Sequence, residues 1–342
     1  MFTISCGIYS ANMENKWQQK TLLLTLPYAL QFLFSLILVL RFREMAYPAR
    51  VIGCLLGFFP CALAVFVGAM RRPGRLIVHS DWKYGLRLSV PSIAMSVSYM
   101  LMQQCDKMMI TGICGAEETA VYSVIFYMGY ALLAINQAIA PVRQAWVFKH
   151  IETVDRSVFQ NLQKWYLIGI AFLATGVLMV APEAVKILAP ESYWKYEYIA
   201  PFVLSACLSI SCGFYSELAM YHKKNLQLSI SVMAAAALNI GLNAILIPRV
   251  GAVAAAYTTV AAYLLLHVLS SVVIRKVAGG MYSKRMFLFF GLYIIAACAM
   301  ASPFLNRPFI RYPVFAVLLA VMMLYVLKHK SEWINVVKKE NA

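Results

Sequence analysis

The chain has 342 residues, of which 62% are hydrophobic, and its mean hydropathy is +0.72. Ordinary soluble domains are only about 45–50% apolar, so the composition excludes a soluble globular protein. Charged residues make up 13% of the chain, yet 30 Lys and Arg against 14 Asp and Glu give a formal net charge of +16.

In chain order, residues 1–20 come first, and they lack the basic start, apolar centre and cleavage site of a signal peptide. We predict a loop there. Ten apolar runs follow, each long enough to cross a hydrocarbon core of ~30 Å as a helix. The predicted spans are 21–40, 51–69, 87–108, 118–141, 164–182, 198–220, 226–247, 252–274, 285–304 and 309–328. The sequence therefore predicts an all-α polytopic membrane protein with about ten transmembrane helices.

The basic residues predict the orientation, because Lys and Arg in short loops stay on the cytoplasmic side. With a cytoplasmic amino terminus, 21 of the 30 Lys and Arg lie inside and 9 outside. Both termini are therefore predicted to be cytoplasmic. The inner charges face anionic lipid headgroups, so membrane lipids are the expected partners, and the net charge requires no nucleic acid.

Two segments between spans are rich in charge. Residues 71–87, RRPGRLIVHSDWKYGLR, contain Pro and Gly and are the predicted boundary between two helix bundles. Residues 142–163 mix apolar and charged side chains at helical spacing, and we predict that they lie along the inner membrane surface.

Polar side chains inside the predicted spans are the candidate functional residues, because an ionised group in hydrocarbon is unfavourable unless it faces protein or water. In LMQQCDKMMITG, residues 101–112, Gln103 and Asp106 share one helical face, and Gln104 and Lys107 share the adjacent face. Two interpretations remain. The helix ends near residue 104 with its charges among the headgroups, or its polar face lines a water-filled cavity near the outer mouth.

The following span adds Tyr122, Asn136 and Gln137, and Arg143 comes just after Pro141. A proline inside a helix frees a carbonyl group and bends the helix. The two amides either make hydrogen bonds between helices or line the same cavity. Arg143 is either a loop charge that sets the orientation or a substrate contact.

Glu217, in SCGFYSELAMYHKK, lies near the membrane interface or lines the cavity, and a proton-linked role is one hypothesis for it. Signals of enzyme chemistry are weak. The five histidines are scattered, the eight cysteines form no CxxC pair, and no nucleophile motif or phosphate-binding glycine loop appears. We therefore expect neither an enzyme nor a cofactor or metal site.

The order of three motifs resembles the Wzx-type polysaccharide flippases of the multidrug/oligosaccharidyl-lipid/polysaccharide exporter superfamily. They are GIYSANMENKWQQKTLLLTLP, YGLRLSVPSIAMSVSYMLMQQCDKMMITGICGAEETAVYSV and LNIGLNAILIPRVGAVAAAYTTVAAYLL. The resemblance covers nearly the whole chain from residue 7. One departure is Ala120-Val121, where that family usually has a glycine before Tyr-Ser.

The resemblance implies two helix bundles around a central cavity, with twelve to fourteen spans in the family. This chain is then expected to lack the first four, as a fragment, the product of a wrongly assigned start, or the product of a degenerate gene. The implied regions are 1–70, a remnant of the first bundle; 71–87, the loop between bundles; 88–274, a complete six-helix second bundle; and 275–342, two extra spans and a cytoplasmic tail.

The implied function is to flip a polyprenyl-diphosphate-linked oligosaccharide across the bacterial inner membrane by alternating access, for O-antigen or capsule synthesis. Arg87 and Arg143 would meet the diphosphate at the inner mouth. The residues implied to meet sugar hydroxyls are Gln103, Asp106, Tyr122, Asn136 and Gln137. The polysaccharide polymerase machinery is a candidate partner. A related multidrug or peptidoglycan-precursor exporter, a membrane-embedded polysaccharide enzyme and an inactive fragment remain as alternatives.

Overall fold

A computed structural model describes residues 2–14, 16–70, 79–275, 278 and 280–329, and its regular elements in these ranges are all helical. The α-helices are α1 (Phe2–Met13), α2 (Trp17–Arg41), α3 (Ala46–Met70), α4 (His79–Cys114), α5 (Ala116–His150), α6 (Arg156–Leu188), α7 (Ile199–Tyr221), α8 (Asn225–Val250), α9 (Val253–Arg275), α10 (Lys284–Ala301) and α11 (Pro308–Lys328). Within the described ranges, nine helical segments are long and apolar enough to cross a membrane. The chain is an all-α polytopic membrane protein, which confirms the predicted fold class.

One of the ten predicted spans, 87–108, lies inside α4. Helix α4 is not one of the nine segments that are apolar enough to cross a membrane. Its sequence explains the difference, because two glutamines, Asp106 and Lys107 fall within that stretch and reduce its hydropathy. The helix also begins at His79, so residues 79–87 of the predicted loop between bundles are helical. Residues 71–78 of that loop lie outside the described ranges.

The loop predicted for residues 1–20 is wrong, because Phe2–Met13 form α1. This helix packs closely against its neighbours at Gly7. A Cβ atom there would lie 3.0 Å from Cγ1 of Val65 on α3 and 3.2 Å from Cδ1 of Leu23 on α2. A larger residue there would require the side chains of Val65 and Leu23 to shift by a few tenths of an ångström. From sequence alone, a glycine suggests a turn rather than a packed helix.

Helices α2 and α3 pack backbone to backbone through two glycines of α3. A Cβ atom on Gly53 would lie 2.5 Å from Cα of Ser35, and one on Gly57 would lie 2.4 Å from the backbone nitrogen of Gln31. Small residues at four-residue spacing allow this close approach, as is typical of helix pairs in membranes.

Residues 142–163, predicted to lie along the inner surface, belong mostly to the ends of two long helices, since α5 continues to His150 and α6 begins at Arg156. The 35 residues of α5 extend over about 52 Å at ~1.5 Å per residue, which exceeds a hydrocarbon core of ~30 Å. The charged residues therefore lie on helix ends that are longer than a span requires.

The chain divides into two compact units, residues 1–82 with 141–146, and residues 83–140 with 147–342. The second unit has its core around α7, α8 and α9. Helices α10 and α11 belong to the same unit, because α10 packs against α6 and α7 and α11 packs against α6.

Candidate functional site

Asp106 is the centre of a buried polar cluster in the second unit. Its side chain is only 1% exposed. The hydroxyl groups of Tyr122 and Thr259 donate to Oδ2 at 2.9 and 2.8 Å, and Nδ2 of Asn243 donates to Oδ1 at 2.6 Å. One carboxylate of α4 is therefore bound to α5, α8 and α9 at once. The members of this cluster, called the Asp106 network below, are Asp106, Tyr122, Asn239, Asn243, Thr258 and Thr259.

A second layer of the network connects α8 to α9. Asn239 and Asn243 lie four residues apart on one face of α8. Nδ2 of Asn239 lies 3.5 Å from the hydroxyl of Thr258 and 3.4 Å from that of Thr259, and the Thr258 hydroxyl donates to Oδ1 of Asn243. The two helices meet because Gly251, with a φ of 87°, forms the turn between them.

The network contains one carboxyl group and several neutral oxygens. Within the described ranges no cation forms an ion pair with Asp106. The hydroxyls of Thr258 and Thr259 also lie 2.9 and 2.8 Å from the carbonyl oxygen of Ala255, so each single hydroxyl proton has two acceptors in reach. The amide groups of Asn239 and Asn243 add N–H donors, one of which bonds to Asp106, so the carboxyl group is held by both hydroxyl and amide donors.

The ligand set does not resemble a transition-metal site. No three His, Cys, Asp or Glu side chains converge anywhere in the part of the chain that the structure describes. The groups next to the carboxyl oxygens of Asp106 are donors, namely Nδ2 of Asn243 and the hydroxyls of Tyr122 and Thr259.

A small cavity adjoins the network. Its volume is about 20 Å³, which is the space of about one water molecule. Thr259, which also donates to Asp106, lines the cavity together with Gln103, Tyr130 and Tyr263. A water molecule therefore has space beside Thr259, which connects the cavity to the carboxyl group of Asp106.

Lys107 follows Asp106 but is directed to a different environment. Its Nζ lies 4.5 Å from the ring centroid of Phe126 and 4.8 Å from that of Tyr127, within the range of cation–π attraction. Tyr130 packs against Phe126 at 4.4 Å between centroids, and Tyr127 is 58% exposed. The surface formed by Phe126, Tyr127 and Tyr130 with Lys107 above it is called the aromatic shelf below.

The structure brings Asp106 and Tyr122 of the sequence-predicted site residues into direct contact and places Gln103 in the adjoining cavity. Asn136 lies elsewhere on α5, where its Oδ1 accepts a hydrogen bond of 2.6 Å from the hydroxyl of Tyr166 on α6. One of the two predicted amides therefore connects two helices.

The other predicted residues do not join the network. Arg87 on α4 and Gln137 on α5 are exposed, and Arg143 is buried near the end of α5. Glu217 is buried on α7. The partners of Asp106 come from α5, α8 and α9, and none of them comes from α7.

Sequence reasoning did not assign Asn239, Asn243, Thr258 or Thr259 to the site. A signal for them is present. Two asparagines four residues apart inside an apolar run, followed after a glycine turn by two adjacent threonines, place amides and hydroxyls on facing helices. Their common partner, Asp106, lies 137 residues before Asn243, and no local pattern connects the two.

Comparisons with known proteins identify no relative. No protein-family model, curated protein or solved structure matches the chain. The function is therefore inferred from the motif order in the sequence and from the chemistry of the described residues.

Proposed function

We propose that the chain is a membrane transporter that moves a polyprenyl-diphosphate-linked oligosaccharide from the inner to the outer leaflet of the bacterial inner membrane, for O-antigen or capsule synthesis. The order of the motifs supports the substrate class, and nine apolar helical segments in the described ranges support a multi-pass membrane protein. The Asp106 network carries the proposal furthest. A buried carboxylate bound to several helices is typical of ion-linked transport pathways.

The substrate presents a hydrated sugar and a charged diphosphate that must cross hydrocarbon. Amides, aromatic faces and cations lower that barrier because they replace part of the lost hydration. In the aromatic shelf, the exposed ring of Tyr127 is the proposed contact for the C–H face of a sugar, and Lys107 offers a cation for the diphosphate. Arg87 of the second unit and Arg143 of the first unit are separate candidates for a diphosphate contact in this proposal.

The remaining sugar contacts in the proposal are amides. Gln103 lines the cavity beside the network, and Gln137 is exposed on α5. Asn136 is already bonded to Tyr166, so it reaches a sugar hydroxyl only if that hydrogen bond opens. Of the three amides, Asn136 is therefore expected to contribute least.

The Asp106 network is the proposed coupling element. When Asp106 is ionised, it accepts three hydrogen bonds from α5, α8 and α9. Uptake of a proton or a small cation changes which oxygens accept, so at least one donor must reorient. Asp106 with and without the bound proton or cation would therefore make different hydrogen bonds between helices. Alternating access requires two such conformations, one for each state of the site. Glu217 is the second candidate for ion coupling.

The proposal places both termini in the cytoplasm, as the distribution of Lys and Arg predicts. Sugar transfer to the growing polysaccharide then follows on the outer face, where the polymerase machinery is the proposed partner. Catalysis by the chain itself is not part of the proposal.

The test is complementation. The gene is deleted in its host, lipid-linked repeat units are extracted, and the wild-type chain, D106N and S270A are reintroduced at equal amounts in the membrane. Ser270 is the matched control, because it is a buried hydroxyl on α9 with no hydrogen-bond partner in the described ranges. We expect repeat units to accumulate on deletion, and we expect wild type and S270A, but not D106N, to relieve the accumulation.

Other results would lead to other conclusions. Relief by a version extended upstream, but not by this chain, would identify the chain as an inactive part of a transporter. No accumulation of repeat units would favour a multidrug or peptidoglycan-precursor exporter, and altered linkages in the product would favour an enzyme. Full relief by D106N would refute the coupling role of the network.

A further inference from the structure

An apolar groove of about 450 Å³ lies between α6, α10 and α11 in the second unit. Its walls are formed by Leu167, Ile168, Ala171, Phe289, Phe290 and Val321. Lys164 lies at one end, and Tyr293 lies at the other. A groove with an apolar length and a single cationic end has the chemistry of a lipid site.

The apolar length fits one leaflet. Lys164 and Ala171 are seven residues apart on α6, which is about 10 Å at ~1.5 Å per residue, and one leaflet occupies about half of a hydrocarbon core of ~30 Å. The deep end is closed by Tyr293, whose hydroxyl lies 2.8 Å from that of Thr175 and 2.9 Å from Sδ of Met322. The hydroxyl is therefore satisfied, and the wall presented to an acyl chain is apolar.

At the cationic end, the ammonium group of Lys164 lies near two aromatic rings. Nζ of Lys164 lies 5.5 Å from the ring centroids of both Trp165 and Tyr325. Nε1 of Trp165 is buried and has no hydrogen-bond partner in the described part of the chain. Trp165 does not line the groove, so the ammonium group of Lys164 is the group that an anion meets at this end.

At the Lys164 end, the charged side chains that belong to the three groove helices are all basic, and the nearest carboxylate in sequence is Asp155, which precedes α6. Arg156, Lys284, Arg285 and Lys328 lie at the ends of the three helices that are on the same side as Lys164. These three helices are described over their whole length, and their only carboxylate, Glu183, lies at the opposite end of α6. A zwitterionic headgroup would bring its own cation into this field, whereas an anionic headgroup would not.

We propose that the groove binds an anionic phospholipid, with its phosphate at Lys164 and one acyl chain along the apolar walls. The distribution of Lys and Arg assigns this end to the cytoplasmic leaflet. The lipid is a resident of the second unit and not the transported substrate, so the site does not depend on the proposed transport function.

The probes are dioleoyl phosphatidylglycerol and dioleoyl phosphatidylcholine, which share their acyl chains and differ in headgroup charge. Bound lipids are counted by native mass spectrometry on the purified full chain. We expect wild type to prefer phosphatidylglycerol over phosphatidylcholine. In K164Q the ratio of the two bound lipids should fall about five-fold, because one basic residue at the membrane surface contributes about 1 kcal/mol to the binding of an anionic lipid. K186Q is the matched control, because Lys186 lies on α6 over the Trp194 ring, at 5.3 Å and outside the groove.

A second pair of variants tests the apolar walls. V321W fills the groove from an exposed position and is expected to release both lipids, whereas M323W, two residues further along α11 and outside the groove, is expected to retain them. The same preference in K164Q as in wild type would overturn the proposal. Displacement of the phospholipid by equimolar undecaprenyl phosphate would also overturn it, because the groove would then belong to a polyprenyl lipid.

Discussion

Removing the hydroxyl of Tyr122 isolates one hydrogen bond of the Asp106 network. The Tyr122 ring packs edge-on against Phe202 at 5.0 Å and Tyr198 at 5.8 Å between centroids, and Tyr122→Phe keeps these contacts. What is lost is the donor 2.9 Å from Oδ2 of Asp106. Hydrogen bonds to charged groups contribute about 1.5–3 kcal/mol in soluble proteins, and bonds between membrane helices average about 0.6 kcal/mol. We expect the free energy of unfolding to fall by about 1–2 kcal/mol, which is above the average for membrane helices and in or just below the lower half of the values for charged groups.

A double-mutant cycle tests whether this hydroxyl acts through the carboxylate. In Asp106→Asn the acceptor is neutral, and neutral hydrogen bonds are about half as strong as charge-assisted ones. The cost of Tyr122→Phe should therefore fall by about half in that background. Tyr198→Phe is the matched control, because Tyr198 is also buried but donates to Glu118 at 2.8 Å. Its cost should be the same in both backgrounds.

The assay is reversible unfolding of the purified chain in mixed micelles, followed by helical circular dichroism. Each free energy is measured for wild type, the two single variants and the double variant. Additivity of Tyr122→Phe and Asp106→Asn to within about 0.3 kcal/mol would refute the argument, because independent sites add to about that precision.

Three further predictions concern packing, charge and topology. Gly57→Ala should lower the thermal unfolding midpoint by several degrees, because the added Cβ meets the backbone of α2. Gly68→Ala is the control and should leave the midpoint unchanged, because open space surrounds Gly68. Equal midpoints for the two variants would contradict the close approach of α2 and α3. Glu183→Ala should destabilise the chain more than Arg311→Met, because it leaves Arg311, which is only 1% exposed, without its carboxylate partner. The reverse order of stability in scanning calorimetry would count against the Arg311–Glu183 ion pair. Exposed Cys114, at the end of α4, should react with a membrane-impermeant maleimide on intact spheroplasts, and labelling only after lysis would reverse the proposed orientation.

The fold class follows from the sequence because hydropathy is a local property. Nine of the ten predicted spans coincide with helical segments of spanning length in the described ranges. The remaining one, 87–108, is helical within α4 but less apolar, because polar residues that include Asp106 interrupt it. The loop predicted for residues 1–20 is wrong, since Gly7 and its neighbours form a helix that packs on α2 and α3.

The candidate site was predictable only in part. The sequence singles out Asp106 because a carboxylate in an apolar run is unfavourable without a partner, and the helical period places Gln103 on the same face. It does not reveal that Tyr122 donates to Asp106, because the two residues lie on different helices. Nor does it separate Gln137, which is exposed, from Asn136, which is bonded to Tyr166.

The sequence by itself determined that the chain is helical, that it lies in a membrane and which side chains do not belong in hydrocarbon, since each of these depends on composition within a window of about one helix. Only the tertiary structure decided what Asp106 contacts. Asn243 and Thr259 lie 137 and 153 residues after it. Periodicity gives the face on which a residue lies, but which faces meet depends on how the helices pack, and that packing brings these partners to one carboxylate.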